Sequence, residues 1–141
     1  MKKFTVSFFG EGLPAEFFKA EHRLEKVILT LLLRLRHVEF RITGADSFNF
    51  FAEAVIRRIQ KEFNNSCSLV LLLTPPADEY KSNKEAFMKY YDRIEICSPK
   101  DLVRSDLIIC HTRSLKGCRA VRNAEKQGKY VVNLAQPDGN K

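Results

Sequence analysis

The run of polar residues best suited to chemistry is the loop Thr112–Gly117, which follows the apolar run Leu107–Cys110. Two hydroxyl groups, two cationic side chains and a glycine fall within this short segment, where a helix is expected to begin. Free N–H groups at a helix start bind anions, especially phosphate. We therefore predict an anion site formed by Thr112, Arg113, Ser114, Lys116 and Gly117. The same residue types are also typical of an ordinary strand-to-helix turn.

Two further loops contribute to the same predicted site. Gly10 follows the apolar run Phe4–Phe9, while Gly44 and Asp46 follow the run Val38–Thr43. In an open parallel sheet, ligands bind outside the carboxyl ends of the strands, so we predict that all three residues line the site. Gly44 has a second interpretation, in which it only supplies a positive φ for the turn. Because neither GxGxxG nor GxxxxGK[ST] is present, conventional dinucleotide binding and P-loop ATP hydrolysis lose their main support.

The sequence offers few candidates for nucleophilic catalysis or metal binding. Cys110 and His111 are adjacent, but successive residues of a strand point to opposite faces of a sheet, so we predict no catalytic pair. The four cysteines lack the spacing of a redox or zinc motif. We expect no disulfide and assign no catalytic residue, no metal and no cofactor.

The elements that position these loops follow from the hydrophobic pattern. Apolar runs of strand length are Phe4–Phe9, Val38–Thr43, Leu69–Leu73, Ile94–Cys97, Leu107–Cys110 and Tyr130–Leu134. Alternation of such strands with helices predicts a parallel sheet with right-handed crossovers. The expected fold class is therefore α/β, a Rossmann-like three-layer sandwich with a mostly parallel sheet of five or six strands. The run Ile94–Cys97 alternates in polarity, which is typical of an edge or irregular strand.

Three segments between the strands have helical spacing. The first begins after Pro14. The second begins at Asp46 or Ser47, carries an apolar stripe from Phe48 to Phe63 and stops at Asn64. The third runs from about Leu115 to Gln127, with Gly128 as its C-terminal cap. The polar connection from Asp78 to Tyr91 has only weak helical character.

Length and composition indicate one ordinary globular domain. The chain has 141 residues, 45% of them hydrophobic and 29% charged, with a formal charge of +7. We expect one domain over residues 1–135 and a flexible tail over 136–141. The positive charge favours a small anionic ligand. Since the apolar runs are too short for a membrane span and no secretory signal is evident, we expect a cytoplasmic protein without a membrane partner.

The order of several segments resembles a known family. These are Val6–Gly10, Phe40–Phe51, Lys61–Phe63, Leu69–Leu73, Ser105–Cys110 and Gly128–Leu134. Together they are similar to small bacterial SLOG-type Rossmann proteins, relatives of the LOG phosphoribohydrolases and of DNA-processing protein A. The resemblance covers nearly the whole chain. It implies a nucleotide-derived ligand at the strand ends and, in a few members, cleavage of the N-glycosidic bond of a nucleoside monophosphate.

The sequence departs from that family at its ligand-binding motifs. The first loop, usually Gly-His-Arg, reads Gly10-Glu11-Gly12, and Phe48-Asn49 stands where relatives have Phe-Asp. The later double glycine is reduced to Gly117-Cys118, and the PGGxGTxxE signature of the phosphoribohydrolases is absent. We therefore expect the fold to carry over and the catalytic chemistry to be lost.

Three functions remain after these comparisons. We favour a noncatalytic or catalytically degenerate module that binds or senses a nucleotide or phosphosugar. The first alternative is a LOG-type phosphoribohydrolase, with Glu11 or Asp46 supplying a carboxylate. The second is weak, nonspecific nucleic-acid binding, prompted by the net charge and by Tyr80, Tyr90 and Tyr91 among basic residues. The resemblance also implies that a homodimer can form, with Phe17-Phe18 and the first helix supplying an apolar patch.

Overall fold

All six apolar runs form strands. They are β1 (Phe4–Gly10), β2 (Val38–Thr43), β3 (Ser68–Leu73), β4 (Arg93–Ile96), β5 (Leu107–His111) and β6 (Tyr130–Asn133). The structure, a computed structural model, describes residues 3–10, 16–43, 47–63, 67–98, 105–112, 122 and 125–135. The strand bounds agree with the sequence to within one residue at each end, because each strand is marked by a short run of continuous or alternating apolar residues.

The strands form one sheet in the order β4-β3-β2-β1-β5-β6, and every neighbouring pair is parallel. The predicted α/β, Rossmann-like three-layer sandwich is confirmed, with six strands. From β1 the chain builds outwards through β2 and β3 to β4, then returns to place β5 on the other side of β1. The strand order therefore reverses between β1 and β5. Strand β4 lies at one edge of the sheet, which is one of the two interpretations of its alternating pattern.

Two long helices cover one face of the sheet, which we call the first face. They are α1 (Phe17–Arg34) and α2 (Ser47–Glu62). Their apolar stripes, with Leu24 and Ile28 on α1 and Ile56 on α2, join the core formed by Phe8 and Phe40. Full burial of each such side chain contributes about 1.5–3 kcal/mol. This helix packing fixes where α2 begins relative to the strand ends.

The apolar stripe predicted for α2 was wrong at its last position. Phe63 was expected on the inward stripe, but its side chain is 49% exposed. The helix ends at Glu62, and although the N–H of Phe63 still bonds to the carbonyl of Ile59, the Phe63 side chain does not join the buried stripe of Ile56 and Ile59.

The opposite face of the sheet, the second face, mixes apolar and charged residues. Val70, Leu72, Ile108 and Cys110 are buried there, as expected for a parallel sheet that is covered on both sides. Strands β2 and β4 also place charged residues on this face, at Glu39, Arg41, Arg93 and Glu95. The apolar runs alone did not predict this polar strip.

The connection from β3 to β4 contains two short helices, α3 (Asp78–Ser82) and α4 (Lys84–Met88), which accords with its weak helical character. Gly128 has a φ of 79°, as a C-terminal cap requires. Most of the third predicted helix, from Leu115 to Gln127, and the tail 136–141 lie outside the described residues. The division into a domain over 1–135 and a tail stays a prediction. Within the described part of the chain, no helix is long and apolar enough to cross a membrane.

Candidate functional site

The carboxyl ends of β1 and β5 meet at the point where the strand order reverses. Gly10, the last residue of β1, lies opposite His111, the last residue of β5, in the parallel register. Thr112 follows directly and is buried. In open α/β sheets this topological switch point is where ligands bind. The structure therefore brings together two of the predicted site residues, Gly10 and Thr112.

The absence of a side chain at Gly10 has a packing reason. A Cβ atom built on Gly10 would lie 2.4 Å from the Cβ and Cγ atoms of Phe48, far inside van der Waals contact. Phe48 is fully buried at the start of α2. Glycine at position 10 thus lets the first turn of α2 pack directly on the end of β1. Its role in ligand contact stays a prediction.

Asn49 fixes the same helix turn to two strands. Its Oδ1 accepts a hydrogen bond from the backbone N–H of Thr43 at 2.9 Å, and its Nδ2 donates to the carbonyl of Phe8 at 3.3 Å. A carboxylate could accept the first bond, but it has no proton to donate to the second. This explains why an amide stands here instead of the carboxylate that the resemblance implies.

Asn133, at the end of β6, holds the start of the predicted anion loop. Its Nδ2 donates to the carbonyl of Thr112 at 2.9 Å, and its Oδ1 accepts from the N–H of Thr112 at 3.2 Å. The same Oδ1 accepts from the N–H of Ala135. Sequence reasoning missed Asn133, although a lone amide that closes the apolar run Tyr130–Leu134 was a signal for such a bond.

Cys110 and His111 point to opposite faces, as predicted. Cys110 is fully buried on the second face, whereas His111 is half-buried with its ring centroid 6.2 Å from that of Phe48 on the first face. The two side chains therefore do not form a nucleophile and base pair. Of the other described cysteines, Cys67 is buried and Cys97 is half-buried. Cys118 lies outside the described residues.

A row of aromatic rings leads from the switch point to the protein surface. Starting at His111, it passes through Phe48, Phe51 and Phe17 to Phe18, with successive centroids 6.2, 5.7, 5.1 and 5.6 Å apart. The outermost ring, Phe18, is 80% exposed. Helices that follow parallel strands begin at the carboxyl edge of the sheet, so this exposed ring lies on the same edge as the switch point.

The remaining predicted site residues, Gly44, Asp46, Arg113, Ser114, Lys116 and Gly117, lie outside the described residues. Among the residues that are described, no group of three His, Cys, Asp or Glu side chains is arranged to hold a metal ion. Tyr91 was expected on a basic, aromatic surface, but its hydroxyl donates to Glu53 at 2.9 Å. Burial, followed by that bond, raises the pKa of Tyr91 to about 12. Tyr91 is therefore tied to α2 and is not a free stacking surface.

Ser105-Asp106, which opens one of the segments that carry the family resemblance, lies at the opposite, amino edge of the sheet. Asp106 Oδ2 accepts hydrogen bonds from the backbone N–H and the hydroxyl of Thr5, at 2.9 and 3.1 Å. Asp92 does the same for β3, since its Oδ2 accepts from the N–H of Leu69 at 2.7 Å. Both carboxylates satisfy strand N–H groups, which is a structural role remote from the switch point.

Comparison with known proteins does not place the chain in a family. A scan against protein-family models, a search of curated proteins and a search of solved structures each find no match.

Proposed function

We propose that this chain binds a nucleotide or phosphosugar at the β1/β5 switch point, as a noncatalytic binding or sensing module. The observation that carries the proposal is the meeting of Gly10, His111 and Thr112 at the reversal of strand order. Open α/β sheets bind their ligands at this place. Thr112 also opens the loop whose hydroxyl and cationic side chains suit a phosphate.

The aromatic row supports a ligand that carries a flat apolar group in addition to its phosphate. Phe17 and Phe18 expose ring surface at the start of α1, on the edge where Thr112 lies. Aromatic rings stack with nucleobases at about 1–3 kcal/mol per base. This favours a nucleotide over a phosphosugar, which offers no such ring.

Support for a noncatalytic role comes from the sequence. The PGGxGTxxE signature of the phosphoribohydrolases is absent, and the first loop lacks the histidine and arginine of the SLOG pattern. The resemblance to SLOG-type proteins is part of this proposal and suggests the ligand class. A cytoplasmic location is an expectation from the sequence, and a bacterial source is an expectation from the resemblance.

The test is a calorimetry and thermal-shift screen of nucleoside monophosphates, nucleoside diphosphates and phosphosugars. Lys116→Glu reverses a charge in the predicted anion loop, so we expect it to weaken binding by about 1–3 kcal/mol. The matched control is Lys61→Glu, at an exposed position near the end of α2, which should leave affinity unchanged. Tight binding that is indifferent to Lys116→Glu, Ser114→Ala and Gly44→Val would place the site elsewhere.

The same screen separates the alternative functions. Chromatography of each bound nucleoside monophosphate after incubation would reveal free base if the chain were a phosphoribohydrolase, and that result would overturn the noncatalytic role. Fluorescence anisotropy with oligonucleotides over a salt series addresses nucleic acid. We expect weak, salt-sensitive binding without sequence preference, because charge attraction alone gives that behaviour.

A further inference from the structure

Two buried polar atoms on the second face have no hydrogen-bond partner. Among the buried side-chain polar atoms that the structure describes, the two without a partner are Ser7 Oγ and Arg41 Nε. Ser7 on β1 and Arg41 on β2 are register partners, so their backbones are about 4.8 Å apart and their side chains leave the same face. Ser7 is fully buried. Buried polar groups in proteins are almost always paired, which makes two adjacent exceptions informative.

The charges around Arg41 leave its guanidinium poorly compensated. Glu39 is engaged by Arg93, through Oε1 at 2.9 Å and Oε2 at 3.1 Å, and also by Lys3 at 3.4 Å. Glu95 is engaged by Arg93, whose Nε donates to it at 2.7 Å. Among the residues that the structure describes, Arg41 reaches one carboxylate, that of Glu95, at 3.5 Å. This described cluster holds three cations and two carboxylates, so a surplus positive charge remains at Arg41.

We propose that Ser7 and Arg41 form a subsite for an oxyanion, a phosphate or carboxylate group, on the second face of the sheet. Nε of the cationic Arg41 guanidinium can only donate a hydrogen bond, while the Ser7 hydroxyl can donate as well. The complementary ligand must therefore accept two hydrogen bonds and carry negative charge. Two oxygens of one phosphate or carboxylate group meet both requirements.

The more exposed end of this charged row is the β4 edge of the sheet. The side chains of Arg41, Glu95 and Arg93 are 17%, 34% and 41% exposed, and Arg93 lies on the edge strand in the same register row as Ser7 and Arg41. An anion that enters there would meet Arg93 first and would compete with Glu95 for Arg41. The subsite is separate from the switch point, so its existence does not depend on the proposed nucleotide site.

The experiment is a calorimetric titration of the full chain with inorganic phosphate and, separately, with acetate, at constant ionic strength. We expect saturable binding of at least one of these ions to the wild-type protein. Ser7→Ala and Arg41→Gln should each weaken that binding about tenfold or more, because each removes one donor to the anion. The matched controls are Ser68→Ala, on the same face of β3, and Arg58→Gln, an ion-paired arginine on α2. Neither control should change the affinity.

Ser7→Ala keeps the test decisive if Arg41→Gln fails to fold, because it deletes only an unpartnered hydroxyl. A water molecule held between the two side chains would give no saturable response to either ion, and that result would overturn the proposal. Binding that is unchanged in Ser7→Ala would overturn it as well. Loss of nucleotide binding in Lys116→Glu, with phosphate binding through Ser7 retained, would show that the two sites are distinct.

Discussion

Single side chains at the switch point have exact steric and hydrogen-bonding requirements. Gly10 leaves room for Phe48, and Asn49 both accepts from Thr43 and donates to Phe8. Together they fix the first turn of α2 against the ends of β1 and β2. Substitutions at these two positions therefore test whether the site's scaffold is built as described.

Gly10→Ala should destabilise the protein by about 1–3 kcal/mol, because its new Cβ overlaps the Cβ of Phe48 and cannot be relieved by rotating the ring. Gly128→Ala serves as the comparison, because no atom lies within 4 Å of the added Cβ and only the positive φ of residue 128 disfavours alanine. That strain costs about 1 kcal/mol. Urea unfolding measures both changes. Equal stability of Gly10→Ala and the wild type would show that Phe48 does not pack on Gly10.

Asn49→Asp should cost about 2 kcal/mol or more at neutral pH, because it places a buried carboxylate against the carbonyl of Phe8 and removes the donor. Asn83→Asp is the matched control, since Asn83 Nδ2 also donates to a backbone carbonyl, that of Glu79, but at an exposed site. We expect the control to change the free energy of unfolding by no more than about 0.5 kcal/mol. A similar loss of stability in both variants would contradict the buried hydrogen bonds by which Asn49 joins Thr43 to Phe8.

At the scale of elements, side-chain ion pairs and carboxylates reinforce strand pairing in this sheet. Arg93 on the edge strand β4 reaches across β3 to Glu39 on β2. Glu39 is nearly fully buried, and burial acts to raise its pKa. The hydrogen bonds and charges of Arg93 and Lys3 outweigh burial and hold the pKa of Glu39 below its ordinary value of 4.5. The pair therefore links β4 to the sheet through an ionised carboxylate.

This link predicts how stability depends on pH. Because the folded-state pKa of Glu39 is lowered, its contribution is fully present above pH 4.5 and is lost as the pH falls through the folded-state value. Glu39→Gln should cost about 1–3 kcal/mol at pH 7 and should flatten the acid side of the stability profile. Urea unfolding across the acidic range measures this. The control is Glu62→Gln, at the exposed last residue of α2, which should leave the dependence of stability on pH unchanged. A wild-type dependence in Glu39→Gln would refute the ion-pair link between β4 and β2.

At the scale of the whole molecule, the sequence predicted the elements better than their long-range arrangement. Strand bounds and the edge position of β4 were readable because they depend on local hydrophobic patterns. The pairing of β1 with β5 across the switch point could not be predicted from the sequence, since it joins residues about a hundred positions apart. The buried charge at Glu39 and the half-buried charge at Arg41 were also missed, because both lie inside Val38–Thr43, which was interpreted as an apolar run.

The same distinction applies to the candidate site. Gly10 and Thr112 were predicted at one edge from the rule for parallel sheets, and the structure places them there. Asn133 was not predicted, since its contact with Thr112 depends on how β6 pairs with β5. A residue that supports the site by hydrogen bonding to the backbone next to another strand is difficult to recognise from the sequence.

The most direct test of nucleotide binding at the switch point is heteronuclear NMR of the labelled protein, titrated with a nucleoside monophosphate. We predict saturable shifts of the backbone amide signals of Gly10, His111 and Thr112, at the carboxyl edge. The amides of Asp92 and Asp106, at the amino edge, should not move. Absence of saturable shifts across nucleoside monophosphates, nucleoside diphosphates and phosphosugars, or shifts confined to the amino edge, would contradict the proposed function.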